Sequence, residues 1–411
     1  MAEFPTEILS EILSRLPVKS LLRFISVCKF WNSLIKSPNF IKSHLNQTLI
    51  SDSDRYLLKS SADSPFFISQ IDLHHNHFSF SELDLPLEYE DVEFFNSCNG
   101  VICISDYHKI DVFLFNPLTK SYRKLPVKRN PKHDFVLFGF GYDSNNDDYK
   151  VLRILQRHNC GKSSHDEVQL YSLNNNSWKS VQGIPHPYYL PFADCHGVLV
   201  NEVLHYIVSS DELELQQCKM IAGFDIRTES FSLIDCPIQD EKIKTYWEFV
   251  EFHLRELGGC LSVVVAYLTR DNAIMMPIFD DDGCNRELKR ADLWVMKEYG
   301  NNESWVKLFS VCNLPDIERF VGFTPVIYSK DGRRILIVMD CLEAGWYDLE
   351  SGEFEKVTVH GLPYTYFDTD YFVGSLVSLE FKPHPTGIVK RKNKNYKDSD
   401  SFLAKGFKLK L

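Results

Sequence analysis

Three short stretches carry residue types that could do chemistry. His74, His75 and His77 offer imidazole nitrogens to a metal, and on a strand His75 and His77 would share one face. Zinc needs four ligands, and no Cys pair or carboxylate set stands nearby to complete the site. A solvated hairpin tip is therefore expected there. Asp280, Asp281, Asp282 and Gly283 begin like a calcium loop, but the twelfth position, where such a loop needs a bidentate Glu, is Ala291. Gly139 and Gly141 supply two glycines of a dinucleotide fingerprint. No helix start follows on which a pyrophosphate could sit, so glycines that let strands approach closely are expected instead. A Gly-x-Ser-x-Gly turn is absent, as is a Cys/His pair in catalytic context. The sequence thus predicts no metal, no cofactor and no enzymatic activity.

Composition narrows the remaining classes. Of 411 residues, 44% are hydrophobic and 25% charged, ordinary for a soluble globular protein. A net charge of −11 argues against a nucleic-acid binder. The 11 cysteines never occur as C-x-x-C, which predicts reduced thiols and a cytoplasmic or nuclear location. No run of about 18 apolar residues occurs, so no membrane insertion is expected. Glu3 and Glu7 stand where a secretory signal would be basic. Residues 388–411 carry eight Lys or Arg against two Asp. This basic tail reads as solvated chain, with a nuclear import signal at Lys390, Arg391, Lys392 and Lys394 as the alternative.

The elements are set by two periodicities. Ile8, Leu9, Ile12, Leu13 and Leu16 fall on one helix face behind Pro5, and Pro17 ends that helix. Val18, Leu21, Leu22 and Ile25 predict a second helix. Val27, Cys28, Trp31, Leu34 and Ile35 predict a third, stopped at Ser37 and Pro38. Three helices this short cannot bury so much apolar surface among themselves, so some of it must meet another domain or protein.

Beyond a polar linker at 46–54, strand-like runs alternate with turns. Units of two strands around a turn and an aromatic residue recur, with Phe80, Tyr122, Trp178, Phe231, Trp305 and Phe354 as anchors. Successive anchors lie 42, 56, 53, 74 and 49 residues apart, near the repeat of a four-stranded propeller blade. The longest spacing places a polar insertion at 270–291. The first unit lacks a strand, and 371–380 supplies one without a partner. The expected fold is an all-α module of three helices at 1–45, the linker, and an all-β propeller at 55–387. Six blades closed by the C-terminal strand are expected, seven being the alternative count.

The N-terminal stretch resembles an F-box, on Pro5, Ile8, Leu9, Ile12, Leu13, Leu16, Pro17, Leu21, Leu22, Val27, Cys28, Lys29, Trp31 and Leu34. Phe4 stands where that family usually has Leu. The run Gly139, Phe140, Gly141, Tyr142, Asp143 with Asp148, Tyr149, Lys150 and Val151 resembles the F-box-associated, kelch-like domain of plant F-box proteins. Asn116-Pro117 and residues 97–100 agree with that pattern. The resemblance implies a substrate receptor of an SCF (Skp1–cullin–F-box) ubiquitin ligase in plant defence. A Skp1-type adaptor would bind Pro5, Ile8, Leu9, Ile12, Leu13, Leu16, Pro17, Leu21, Leu22, Val27, Cys28, Trp31 and Leu34, with cullin reached through it. The propeller would hold a protein target, for example an immune receptor, for proteasomal degradation. A scaffold acting outside the ligase and a propeller enzyme are the other functions this architecture allows.

Overall fold

The computed structural model describes residues 5–51, 53–61, 64–71, 77–86, 92–106, 109, 111–127, 134–157, 167–185, 188, 190, 196–209, 220–238, 249–270, 286–312, 323–339, 343–362 and 368–379. Phe4, His74, His75, residues 280–283 and the basic tail lie outside them.

Four helices come first, not three: α1 (Thr6–Ser14), α2 (Val18–Phe24), α3 (Lys29–Ile35) and α4 (Pro38–Ser51). The expected stop at Ser37 and Pro38 is also a start. The Ser37 hydroxyl accepts the Phe40 N–H at 3.3 Å, and Pro38 occupies the first helical position, where its missing N–H leaves nothing unpaired. The helix then takes in residues 46–51 of the segment read as linker.

The β region opens with β1 (Arg55–Ser61), β2 (Ser64–Gln70), β3 (His77–Ser79) and β4 (Ser81–Glu82). Blade 1 is the meander β5 (Val92–Cys98), β6 (Val101–Asp106), β7 (Val112–Phe115), β8 (Tyr122–Lys124). Blade 2 is β9 (Asp134–Asp143), β10 (Asp148–Arg157), β11 (Glu167–Ser172), β12 (Ser177–Ser180). Blade 3 is β13 (Val198–Val200), β14 (Val203–Val208), β15 (Met220–Asp225), β16 (Ser230–Asp235). Blade 4 is β17 (Phe249–Leu257), β18 (Cys260–Arg270), β19 (Arg286–Met296), β20 (Trp305–Val311). Blade 5 contains β21 (Phe323–Tyr328), β22 (Arg334–Met339), β23 (Glu343–Asp348), β24 (Phe354–His360). Blade 6 has the order β25 (Asp368–Val373), β1, β2, β4.

The arrangement follows from sheets that are apolar on both faces. β6 and β14 are buried at every residue, so each needs a neighbour on either side. Each of the six apolar clusters of the β region is accordingly shared by two adjacent blades. Phe138 and Phe140 of blade 2 pack on Cys103 and Leu114 of blade 1; Trp346 and Leu336 of blade 5 share a cluster with Leu57 and Phe67 of blade 6. The glycines of the 139–141 run serve this packing. A Cβ at Gly139 would meet Leu204 at 2.8 Å, and one at Gly141 would meet Leu199 at 2.9 Å, both in blade 3.

Closure differs from expectation. Among the described residues the six sheets are separate, and no hydrogen-bonded ladder runs from one blade to the next around the ring. The innermost strands β5, β9, β13, β17, β21 and β25 instead touch in that cyclic order, back to β5. Side chains bond across some of these seams: Asn96 of β5 donates to the Phe140 carbonyl of β9 at 2.6 Å and accepts its N–H at 3.0 Å, and the Ser97 hydroxyl donates to the Tyr371 carbonyl of β25 at 3.0 Å. β25 spans 368–373 rather than 371–380 and pairs antiparallel with β1 inside blade 6, Tyr56 opposite Phe372. The unit around Phe80 is not a self-contained hairpin either. β3 leaves blade 6 and pairs parallel with β24, making blade 5 five-stranded.

Residues 374–379 continue from β25 without regular structure and are fixed by Asn116. This fully buried side chain caps its own turn, its Oδ1 accepting the Leu118 N–H at 3.0 Å and the Thr119 N–H at 3.3 Å. Its Nδ2 donates to the carbonyls of Ser375 at 3.0 Å and Val377 at 2.9 Å. Asn116→Ala is expected to lower unfolding stability by about 3 kcal/mol, because buried carbonyls lose their donor. The shift of the urea midpoint measures it.

Candidate partner interface on the helical module

Local sequence sets the helix boundaries. Cys28 is extended at the N-cap of α3, and its sulfur accepts the Trp31 N–H at 3.5 Å. Trp31 stands edge-on to Phe24, ring centroids 5.3 Å apart, tying α3 to the end of α2. The module's core is Leu13, Val18, Leu21, Ile35 and Phe40, with Leu376 joining it from the C-terminal segment. His44 on α4 donates from Nε2 to the Leu16 carbonyl at 2.9 Å and so holds the chain end of α1. Burial lowers its pKa, opposed by that bond and by the charge of Asp54.

The residues expected to meet an adaptor divide three ways. Leu13 and Leu21 are buried in the module's own core, whereas Leu9, Leu16, Leu22, Trp31 and Leu34 are half-buried. Pro5, Ile8, Ile12, Pro17, Val27 and Cys28 are exposed. Phe30, absent from the expected set, belongs with them. Ile8, Ile12, Val27 and Phe30 are 48%, 50%, 60% and 50% exposed, which is costly for large apolar groups left in water. Phe30 carries one available signal, an aromatic residue off the stripe its helix buries.

The propeller offers less chemistry. A recess of about 290 Å³ is lined by the 98–99, 199–202 and 256–259 turn regions of blades 1, 3 and 4 and by Tyr142 of blade 2. Its carboxylates serve turns: Glu202 accepts from the Ser144 N–H at 3.2 Å and hydroxyl at 3.1 Å, and Glu256 accepts the Gly259 N–H at 2.5 Å. Among the described residues, no group of three His, Cys, Asp or Glu side chains could hold a metal. All six described cysteines are free, and burial pushes the Cys98 thiol up to about 12, leaving it unreactive. Among the described residues, no helix is long and apolar enough to cross a membrane.

The charged residues of the Gly139–Val151 run are structural. Lys150 Nζ lies 2.8 Å from Asp143 and 2.9 Å from Glu229, and donates to the Ile226 carbonyl at 3.0 Å, joining blades 2 and 3. Lys150 is 6% and Asp143 0% exposed. Asp143 also accepts the Asn145 N–H at 3.0 Å within its own turn. Asp148 accepts from the Ser172 hydroxyl at 2.6 Å and the Asn174 N–H at 2.9 Å, fixing the turn of the next hairpin.

Comparison with known proteins agrees with this division. Residues 1–43 match the F-box domain, and residues 55–380 match the F-box associated beta propeller domain. F-box protein CPR1 of Arabidopsis thaliana is 29% identical over the whole of both chains. F-box protein At4g22390 of the same plant is 31% identical, again over the whole of both. Among solved structures, apo AztD from Citrobacter koseri is 12% identical with a TM-score of 0.34, covering 76% of this chain and 84% of that one, too loose a likeness to bear on function.

Proposed function

We propose a role that starts from family membership: this chain belongs to the F-box proteins that carry an F-box associated beta propeller domain, and it acts as the substrate-recognition subunit of an SCF-type ubiquitin ligase. Such a chain is not an enzyme, since the F-box is a protein-interaction module. It makes and breaks no bond, and contributes by raising the effective concentration of a target near the ubiquitin-charged partner.

One observation supports this most. Along α1 and at the entry to α3, apolar side chains that do not build the module's core stand in solvent. A Skp1-type adaptor covers Ile8, Ile12, Val27 and Phe30 directly. Leu9, Leu16, Pro17, Leu22, Trp31 and Leu34 extend that surface, and Leu13 and Leu21 shape it from beneath. Cullin joins through the adaptor. The propeller holds a protein target in the cytoplasm or nucleus, and similarity to F-box protein CPR1 favours an immune receptor.

Co-expression with a Skp1-type adaptor tests the reading. The expected result is a stoichiometric complex by size exclusion that also retains cullin. Proximity labelling from the propeller, with the proteasome blocked, is expected to enrich proteins whose levels rise under that block. A chain that stays free of the adaptor at micromolar concentration sinks the proposal.

A further inference from the structure

Asp54 occupies the junction between α4 and β1, and four elements converge on it. Its backbone is left-handed, φ 53°, a conformation Asp and Asn tolerate better than most residues. Its Oδ2 accepts the Val18 N–H at the start of α2 at 2.8 Å. Its Oδ1 accepts from the Tyr56 hydroxyl on β1 at 3.0 Å and from the Gln70 amide on β2 at 3.2 Å. Its carbonyl accepts the Gly374 N–H, just past β25, at 2.6 Å. Lys19 of α2 adds its ammonium 5.0 Å from the Tyr56 ring centre.

The chain after Gly374 makes a second seam. Leu376 is buried among Leu13, Val18, Leu21, Ile35 and Phe40 of the helices. Its neighbours belong to the propeller: Asn116 of blade 1 holds Ser375 and Val377, and the Leu379 N–H donates to Ser121 Oγ at 2.7 Å. One strand of peptide is thus packed into both parts.

We propose that Asp54 and residues 374–379 lock the helical module to the propeller in a single orientation, making Asp54 a positioning residue for ubiquitin transfer. The adaptor's seat and the target's seat are then held at a fixed distance and direction by this chain. The role in transfer rests on the ligase reading; the lock itself does not.

The test uses the full chain bound to a Skp1-type adaptor, with spin labels on unnatural amino acids at Lys42 and Lys330, both exposed. Wild type is expected to give one narrow distance distribution and Asp54→Ala one at least twice as broad. Asp54→Asn is expected to restore the narrow one. Its amide can accept from Val18 and donate to Tyr56, whose hydroxyl proton rotates away, and to Gln70, whose side-chain amide turns over to present its oxygen. Adaptor affinity stays within twofold throughout. In a reconstituted ligase, ubiquitin goes to a restricted set of the chain's own lysines in wild type and Asp54→Asn, and to a wider set in Asp54→Ala. A folded Asp54→Ala protein with the wild-type distribution overturns the lock. Should that variant not fold, Leu376→Ala carries the same test and the same overturning result. A narrow wild-type distribution in a chain that does not bind the adaptor overturns the role in transfer and the ligase reading, while supporting the lock.

Discussion

Replacing Ile8 and Ile12 together with Asp is expected to weaken adaptor binding at least about a thousandfold while leaving thermal unfolding almost unchanged. Each side chain is about half exposed in the free chain, 48% and 50%, so little of the module's own packing is lost. Surface substitutions of this kind move stability by roughly 0.5 kcal/mol each, and Ile and Asp have similar helix propensities. At an interface the balance reverses. Truncating a central apolar contact costs about 2 kcal/mol or more, and the carboxylates would also be buried without a partner. Two such losses exceed about 4 kcal/mol, which is three decades in the dissociation constant. Leu13→Ala is the matched contrast. Leu13 is 2% exposed, and emptying its site should lower stability by about 2–5 kcal/mol. Calorimetric titration and melting of both variants separate the effects. An affinity within tenfold of wild type for the Ile8/Ile12 variant would remove α1 from the interface.

Lys150→Met should be the most damaging single change in the propeller. Removing the ammonium leaves the fully buried Asp143 carboxylate without its counter-charge, and breaking such a pair costs about 3–5 kcal/mol. The pH dependence has a definite sign. For Asp143, burial acts to raise the pKa, but bonds from Asn146 and Lys150 and the Lys150 charge bring it below the ordinary 3.8. For Glu229, burial again opposes, and Lys179 and Lys150 bring it below 4.5. Stability from these lowered groups is present above their ordinary values and lost as pH falls through the lower folded ones. For Lys150, burial acts downward, but Asp143 and Glu229 raise it above 10.5. Its contribution is complete below that value and lost as pH rises through the folded one. The deficit of Lys150→Met, read as a difference in urea midpoint, should therefore be flat from about pH 5 to pH 10 and shrink beyond either end. A deficit below 1 kcal/mol at neutral pH would show that water reaches Asp143 and substitutes for the lysine.

Much of this architecture can be read from local pattern. Spacing of Ile8, Leu9, Ile12 and Leu13 marks an apolar stripe, and the recurring hairpins with Trp178, Phe231, Trp305 and Phe354 mark blades. What spacing cannot convey is which half of a stripe faces home. Leu13 goes inward and Ile12 outward, though both are aliphatic and adjacent, because only the positions of α2 to α4 decide it. Ser37 and Pro38 satisfy the rules for ending a helix and for starting one, so α4 was hidden. β3 is three residues long, too short for a period, and its partner β24 lies far along the chain. The glycines at 139 and 141 were legible as close approach, but not the neighbour they approach. Asp54 gave no signal, since its meaning depends on Val18, Gln70 and Gly374 arriving around it.

Blade 6 unites strands 55–61 and 368–373 in one sheet. During translation its second strand therefore emerges long before its first. At about 5–20 residues per second, that interval is on the order of tens of seconds. Throughout it the nascent chain carries the N-terminal helices and a growing, incomplete stack of blades. Leu376, the last piece of the helical core, also arrives only at the end. A ribosome that stalls before codon 373 yields a product able to display Ile8 and Ile12 but unable to complete the wheel. Such a chain would be unfinished at both ends of the molecule, lacking the first strand of blade 6 and the Leu376 side chain that completes the helical core.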